Sequence, residues 1–252
     1  MSILAVENLE KSYSGFQAVK GVTFSLRAGE MLALIGPNGA GKSTCFNMIN
    51  GQLAPSAGHI RMFDHDVTGM TAREIWRLGV GRTFQIAATF GSMTVAENVQ
   101  AALLSYHRPW ATCRWAARYY QQEADELLAL IGMATQAARN CGELAYGDIK
   151  RLELAIALAN DPKLLLMDEP AAGMAPSERA ALMALVTRIA RERAIGVLFT
   201  EHDMDAVFGH ADRILVLNRG NLIAEGSPAE VRANAEVQAV YLGAGSLFGA
   251  VH

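Results

Sequence analysis

The sequence is short of the features that would place it in several large classes. It has 3 cysteines, Cys45, Cys113 and Cys141, widely spaced and without a C-x-x-C pair. That spacing excludes a disulfide framework and a cysteine metal site, and predicts free, reduced thiols in the cytoplasm. No apolar run reaches the ~18 residues of a membrane-crossing helix, so no span is expected. Nothing resembles a signal peptide, because Glu7, Glu10 and Lys11 interrupt the start before an apolar core can form. Repeats are lacking too. Charge is scarce: 19% of the residues are charged and the net charge is −3, which gives no general pull toward nucleic acid or anionic lipid. With 51% hydrophobic residues in 252, the chain has material for a large core, and disorder is excluded.

What is present is organised around one stretch, Gly36-Pro37-Asn38-Gly39-Ala40-Gly41-Lys42-Ser43-Thr44. It fits the pattern G-x-x-x-x-G-K-S/T, with Gly36, Gly41, Lys42 and Ser43 at the fixed positions. Met31 to Ile35 before it is a short apolar run, as expected of a strand buried on both faces. Cys45 to Asn50 after it reads as a helix, with Gly51 as the stop. A strand, a glycine loop and a helix let backbone N–H groups wrap a phosphate at the positive end of the helix. Lys42 is then expected on the β- and γ-phosphates of a nucleoside triphosphate, and the Ser43 hydroxyl on Mg²⁺.

The N-terminal part reads as antiparallel. Ile3 to Val6 is one strand, and Val22, Phe24 and Leu26 alternate with polar residues in another. The stretch Ser12-Tyr13-Ser14-Gly15-Phe16 between them reads as a loop, where Tyr13 can stack on an adenine ring. After the first helix come a strand at His59–Phe63, a helix from Thr71 to Leu78, and a strand from Gly79 that ends on Gln85. From about Ile86 to Arg139 the pattern is helical, with Val95, Val99 and Leu103, then Leu127, Leu128 and Ile131, at helical spacings. Within it, 107–120 is aromatic and basic; given the acidic net charge it reads as the rim of a helix pair, not as a nucleic-acid patch.

Leu144-Ala145-Tyr146-Gly147-Asp148 opens a helix whose apolar face is Ile149, Leu152, Ile156 and Ala159. Leu164 to Met167 then form a buried strand that ends on Asp168 and Glu169. Ligands of open α/β sheets sit beyond the carboxyl ends of such strands. Asp168 can hold Mg²⁺ there, directly or through water. Glu169, one residue on, is free to orient or deprotonate an attacking water. After a helix from Pro176 to about Arg193, the strand Gly196–Thr200 leads to His202, which can contact a γ-phosphate and position water. Arg213–Leu217 and Leu222–Ala224 are strands joined by a hairpin turn, and Ser227-Pro228-Ala229-Glu230 starts a capped helix.

Taken together, Tyr13, Gly36 to Thr44, Gln85, Leu144 to Asp148, Asp168-Glu169 and His202 resemble the ATP-binding cassette ATPases over nearly the whole chain. The resemblance implies an α/β P-loop NTPase core of mainly parallel sheet, with an N-terminal antiparallel β subdomain and an inserted helical lobe. The core lobe would comprise 1–85 and 160–252, the helical lobe 86–159, and 235–252 a C-terminal tail. The resemblance also implies that two subunits close head to tail over two ATP molecules. Each nucleotide then lies between one chain's phosphate loop and the other's Leu144–Asp148 signature. Carried over, Tyr13 stacks on adenine, Gln85 senses Mg²⁺ and γ-phosphate, Glu169 is the general base and His202 the γ-phosphate switch.

Arg82 to Gln85, Met93 to Asn98, Glu169 to Met174 and Val240 to Gly243 resemble a narrower group, the ATP-binding subunits of branched-chain (hydrophobic) amino acid importers. This implies an ATPase at the cytoplasmic face of the inner membrane, peripheral, bound to transmembrane permease subunits and served indirectly by a substrate-binding protein. Nucleic acid is not an expected partner. Urea or amide cargo, an exporter, or a soluble cassette ATPase are the alternatives. Two departures from the family pattern stand out. Ala145, Tyr146 and Asp148 replace the usual Ser, Gly and Gln of the signature, and Ala175 replaces an Asp after the catalytic Glu. Both favour a heterodimer with unequal sites over a homodimer.

Overall fold

A computed structural model describes residues 2–83, 89–107 and 120–242. The antiparallel sheet expected at the N-terminus holds β1 (Ser2–Tyr13), β2 (Phe16–Arg27), β4 (Ala57–Met62) and β5 (His65–Asp66), in the order β2-β1-β4-β5. The larger sheet orders β10 (Asn221–Gly226), β9 (Arg213–Asn218), β3 (Met31–Ile35), β8 (Gly196–Thr200), β7 (Leu164–Asp168) and β6 (Val80–Thr83) side by side. All its neighbours are parallel except the β9–β10 hairpin.

The unbroken apolar runs of β3, β7 and β8 have a simple cause. Successive side chains of a strand point to opposite faces, and here each face meets its own core. Met31, Ala33 and Ile35 enter one core with Leu165, Met167, Val197 and Phe199. Leu32 and Leu34 enter the other with Leu164, Leu166 and Leu198. The first core is shared with α3 (Val95–His107), α4 (Gln121–Leu130), α5 (Tyr146–Leu158) and α6 (Pro176–Glu192). The second is closed by α1 (Lys42–Ile49) and by the antiparallel sheet, through Leu4, Val6, Phe24 and Ile60. Each large side chain so buried contributes about 1.5–3 kcal/mol.

Two expectations are corrected. Ser12–Phe16 is not a loop: β1 runs to Tyr13 and β2 starts at Phe16, so Ser14 and Gly15, both at positive φ, make a tight hairpin turn. The polar stretch Glu7–Tyr13 shows no alternation because backbone pairing to β2 and β4 carries it. On α5, Ile149 and Ile156 are only partly buried, while Lys150 and Glu153 are buried as an ion pair at 2.9 Å. The apolar face therefore lies a little round the helix from where its isoleucines point.

The remaining helices are short. In α2 (Ala72–Arg77) and α8 (Pro228–Ala233), Thr71 and Ser227 form capping boxes with Glu74 and Glu230. α7 (Met204–His210) is capped by Asp203, and α9 (Ala235–Leu242) begins the C-terminal tail. Cys45 and Cys141 are free and buried, and burial pushes the Cys45 thiol up to about 12, so it is an inert packing residue. Cys113 and most of the aromatic, basic stretch lie outside the described residues, but its two ends meet: His107 stacks on Tyr120 with ring centres 4.5 Å apart.

Candidate active site

Strand register brings the sequence motifs to one edge. Leu34 pairs with Thr200, Asp168 pairs with Thr200, and Thr83 pairs with Met167, so β3, β6, β7 and β8 end together. Beyond that edge lies a cleft of about 390 Å³ lined by Tyr13, Phe16, Ala18, Asn38 to Thr44, Glu169 and His202.

The phosphate loop is rigidly seated. Ala40 receives a hydrogen bond from Gly220 N–H at 2.9 Å, and Gly220 in turn accepts from Lys20 N–H at 2.9 Å. Gly41 sits at φ 103°, and a Cβ there would lie 2.6 Å from the Ala18 carbonyl, so the approach of β2 demands glycine. No side chain caps α1, which leaves its first-turn N–H groups for an anion. Lys42 is 8% exposed and donates from Nζ to the carbonyls of Gly36 (2.7 Å) and Pro37 (3.2 Å). Burial lowers its pKa, and the charges of Glu169 and Asp168 oppose that shift.

Across the cleft, Thr200 Oγ1 donates to Asp168 Oδ1 at 2.6 Å and accepts from Glu169 N–H at 3.0 Å. Glu169 has a positive φ of 50°, a conformation that costs a residue with a side chain on the order of 1–3 kcal/mol and that gathers at functional sites. It turns the carboxylate back toward His202, whose Nε2–H donates to Glu169 Oε1 at 2.6 Å. The His202 side chain is 53% exposed and that of Glu169 20%, so the pair stands at the cleft wall with one side open. A carboxylate anchored by an imidazole and facing a phosphate loop can orient and deprotonate water.

At the hairpin tip Tyr13 pairs with Phe16, and both are exposed and line the cleft, where an aromatic ring can stack on a base. Phe16 is a cleft-lining residue that the sequence reading missed. Its signal was the Ser14-Gly15 turn, which sets the flanking aromatics opposite each other.

The signature is elsewhere. None of Leu144, Ala145, Tyr146, Gly147 and Asp148 lines the cleft. Ala145 precedes α5 and offers no side-chain cap, so this helix also starts with free N–H groups. The Tyr146 hydroxyl donates to the Ala172 carbonyl at 3.1 Å, in the loop after Glu169. Asp148 Oδ2 accepts from Gln136 Nε2 at 3.2 Å. Gln85 lies outside the described residues.

Comparison with known proteins fits this geometry. The ABC transporter family model matches residues 19–172. The chain belongs to the ABC transporter ATP-binding family. A second model, branched-chain amino acid ATP-binding cassette transporter, matches residues 221–246 of this cassette. The cassette is 39% identical to the high-affinity branched-chain amino acid transport ATP-binding protein LivG of Salmonella typhimurium, covering 96% of this chain and 98% of the relative. It is 37% identical to BraF of Pseudomonas aeruginosa, a protein of the same description, with the same coverage. Among solved structures, an ATP-binding cassette of an ABC transporter in its ADP conformation superposes with TM-score 0.84 at 31% identity, covering 96% of this chain and 99% of that one. The fold is therefore the α/β cassette fold that the sequence implied, and the activity of the family is ATP hydrolysis. Among the described residues no helix of the cassette is long and apolar enough to cross a membrane.

Proposed function

We propose that this cassette hydrolyses ATP to drive uptake of branched-chain or other hydrophobic amino acids. The observation that carries the mechanism is the cleft itself, where the Lys42 loop faces the Glu169–His202 pair. On ATP binding, Lys42 would exchange its two loop carbonyls for phosphate oxygens, a stronger, charge-assisted contact. The N–H groups of Gly39 and of Gly41 to Thr44 cradle the phosphates, and Tyr13 with Phe16 stacks on the adenine. Glu169 takes a proton from the attacking water, and His202 holds the carboxylate in place and reaches the γ-phosphate. Attack is favoured because water and phosphorus are held in line.

Mg²⁺ fits the donor set. Ser43 offers a hydroxyl, and Asp168 has one oxygen taken by Thr200 and the other free for a hard cation. Ser43 and Asp168, with Gln85, would hold the ion, which spreads the phosphate charge.

The signature of this chain serves a second subunit's nucleotide, and the second subunit's signature completes this cleft. The partner is a related, non-identical ATPase subunit, because Ala145 lacks the hydroxyl that a fully competent signature supplies. The complex sits at the cytoplasmic face of the membrane on permease subunits fed by a substrate-binding protein. Phe90, 58% exposed just beyond residues 84–88, is the proposed permease contact. The test is reconstitution with the permeases that co-purify with this chain. Hydrophobic amino acid uptake should require ATP, and Phe90→Asp should abolish uptake while ATP still binds. Uptake of urea or amides in place of amino acids would contradict the cargo, and parent-level uptake by Phe90→Asp would contradict the contact.

A further inference from the structure

The strand that carries His202 does more than deliver it. Three consecutive residues at the end of β8 each reach the segment that follows β7. Thr200 binds Asp168 Oδ1 and the Glu169 N–H. His202 binds the Glu169 carboxylate. Between them Glu201, 4% exposed, accepts from the Ala171 N–H at 3.0 Å and from the His202 N–H at 3.3 Å. An adjoining clamp repeats the connection: Arg179 of α6 ion-pairs with Asp203 and donates to the Met174 carbonyl at 3.2 Å.

We propose that Thr200 and Glu201 are positioning residues for hydrolysis, which lock the Asp168–Ala171 segment to His202 so that the Glu169 carboxylate meets the imidazole in one geometry. The proposal rests on the reading of Glu169 as the base. Glu169 needs such support because its backbone is held at positive φ, where a side chain is disfavoured. Both Thr200 contacts fall on that residue and its neighbour, and both Glu201 contacts fall on backbone N–H groups flanking the Glu169–His202 pair.

The chemistry of Glu201 argues against a role in stability alone. A buried carboxylate is an expensive way to accept two N–H groups. Burial, aided by the charge of Glu169, raises its pKa from 4.5, against the pull of the Ala171 and His202 N–H donors and Arg179. Stability is therefore fully present below 4.5 and is lost as pH rises through the raised value, so the ionised form is a net burden on the fold.

The experiment measures kcat and KM for ATP, with thermal melts, on the transporter assembled with its permeases. Thr200→Val and Glu201→Gln should each lower kcat ~10- to 100-fold, as loss of a group that orients a catalytic ligand does, with KM changed less than about 2-fold. Glu201→Gln should melt no lower than the parent at neutral pH, and Thr200→Ser should restore turnover. Parent-level kcat in both variants would overturn the proposal. So would a loss of kcat that tracks a lowered melting point and that Thr200→Ser does not rescue. Parent-level turnover by Glu169→Gln would overturn the base assignment and the positioning role with it, whereas an inactive Glu169→Gln beside fully active Thr200 and Glu201 variants would overturn the positioning role alone.

Discussion

Two of the helices that start without a side-chain cap, α1 and α5, are built differently. At α1 the cap is Gly41 in a left-handed conformation, the first residue is the buried Lys42, and a carboxylate–histidine pair stands opposite. At α5 the cap is Ala145 in an extended conformation, the next residue is the exposed Tyr146, and the first turn carries Asp148. Lys150, one turn on, is buried against Glu153, with its Nζ 5.6 Å from the centre of the Tyr146 ring. Two uncapped helices share the same dipole, so the dipole alone does not make a site. The surroundings do. The first start forms one wall of the cleft, whereas the second is an exposed surface that, in the function proposed above, would gain meaning when another chain's nucleotide lies on it.

The comparison is sharpened most by the two lysines of a mixed pair. Lys42→Ala in this chain should remove most of the ATPase activity of the complex, while the matching change in a partner with the usual signature should cost less. The reason is that the missing Ser hydroxyl weakens the partner's site by roughly 1.5–3 kcal/mol, the worth of a hydrogen bond to a charged group. Steady-state hydrolysis by the two single variants measures this, and equal losses would remove the asymmetry. The hydrogen bond of Asp148 to Gln136 bears on the same point, since that carboxylate is already engaged within its own chain.

A smaller effect is expected at Tyr146. Its hydroxyl is bound to the Ala172 carbonyl, so it does not stand in for the missing serine. Tyr146→Phe should lower the unfolding free energy by about 0.5–1.5 kcal/mol, the net worth of one neutral hydrogen bond. Denaturant unfolding of the isolated cassette checks it; no change would mean that the contact with the loop after Glu169 is not made in solution.

Where a residue's role is set by burial or by local backbone, the sequence was easily read. β3, β7 and β8 are unbroken apolar runs because both faces are covered, and in the phosphate loop Gly41 is fixed by the close approach of β2 and Gly36 by that of β9. Where a role depends on partners far along the chain, it was hidden. Glu7–Tyr13 is strand only because β2 and β4 flank it. Thr200 and Glu201 read as the polar end of a strand until register sets them against Asp168 and Ala171. Lys150 and Glu153 fall outside the apolar face expected for α5, yet they are buried as a pair. Phe16 acquired its place from a two-residue turn that brings it beside Tyr13.

The central claim is that Glu169 activates water against a nucleotide held by Lys42. It is tested most directly by hydrolysis in the Glu169→Gln variant, with permeases and partner present, together with the amount of ATP retained. Gln keeps the shape and the contact with His202 but takes no proton. The account predicts full ATP binding, turnover reduced at least ~100-fold, and a closed, ATP-loaded dimer that accumulates. Hydrolysis at the parent rate by that variant would contradict it.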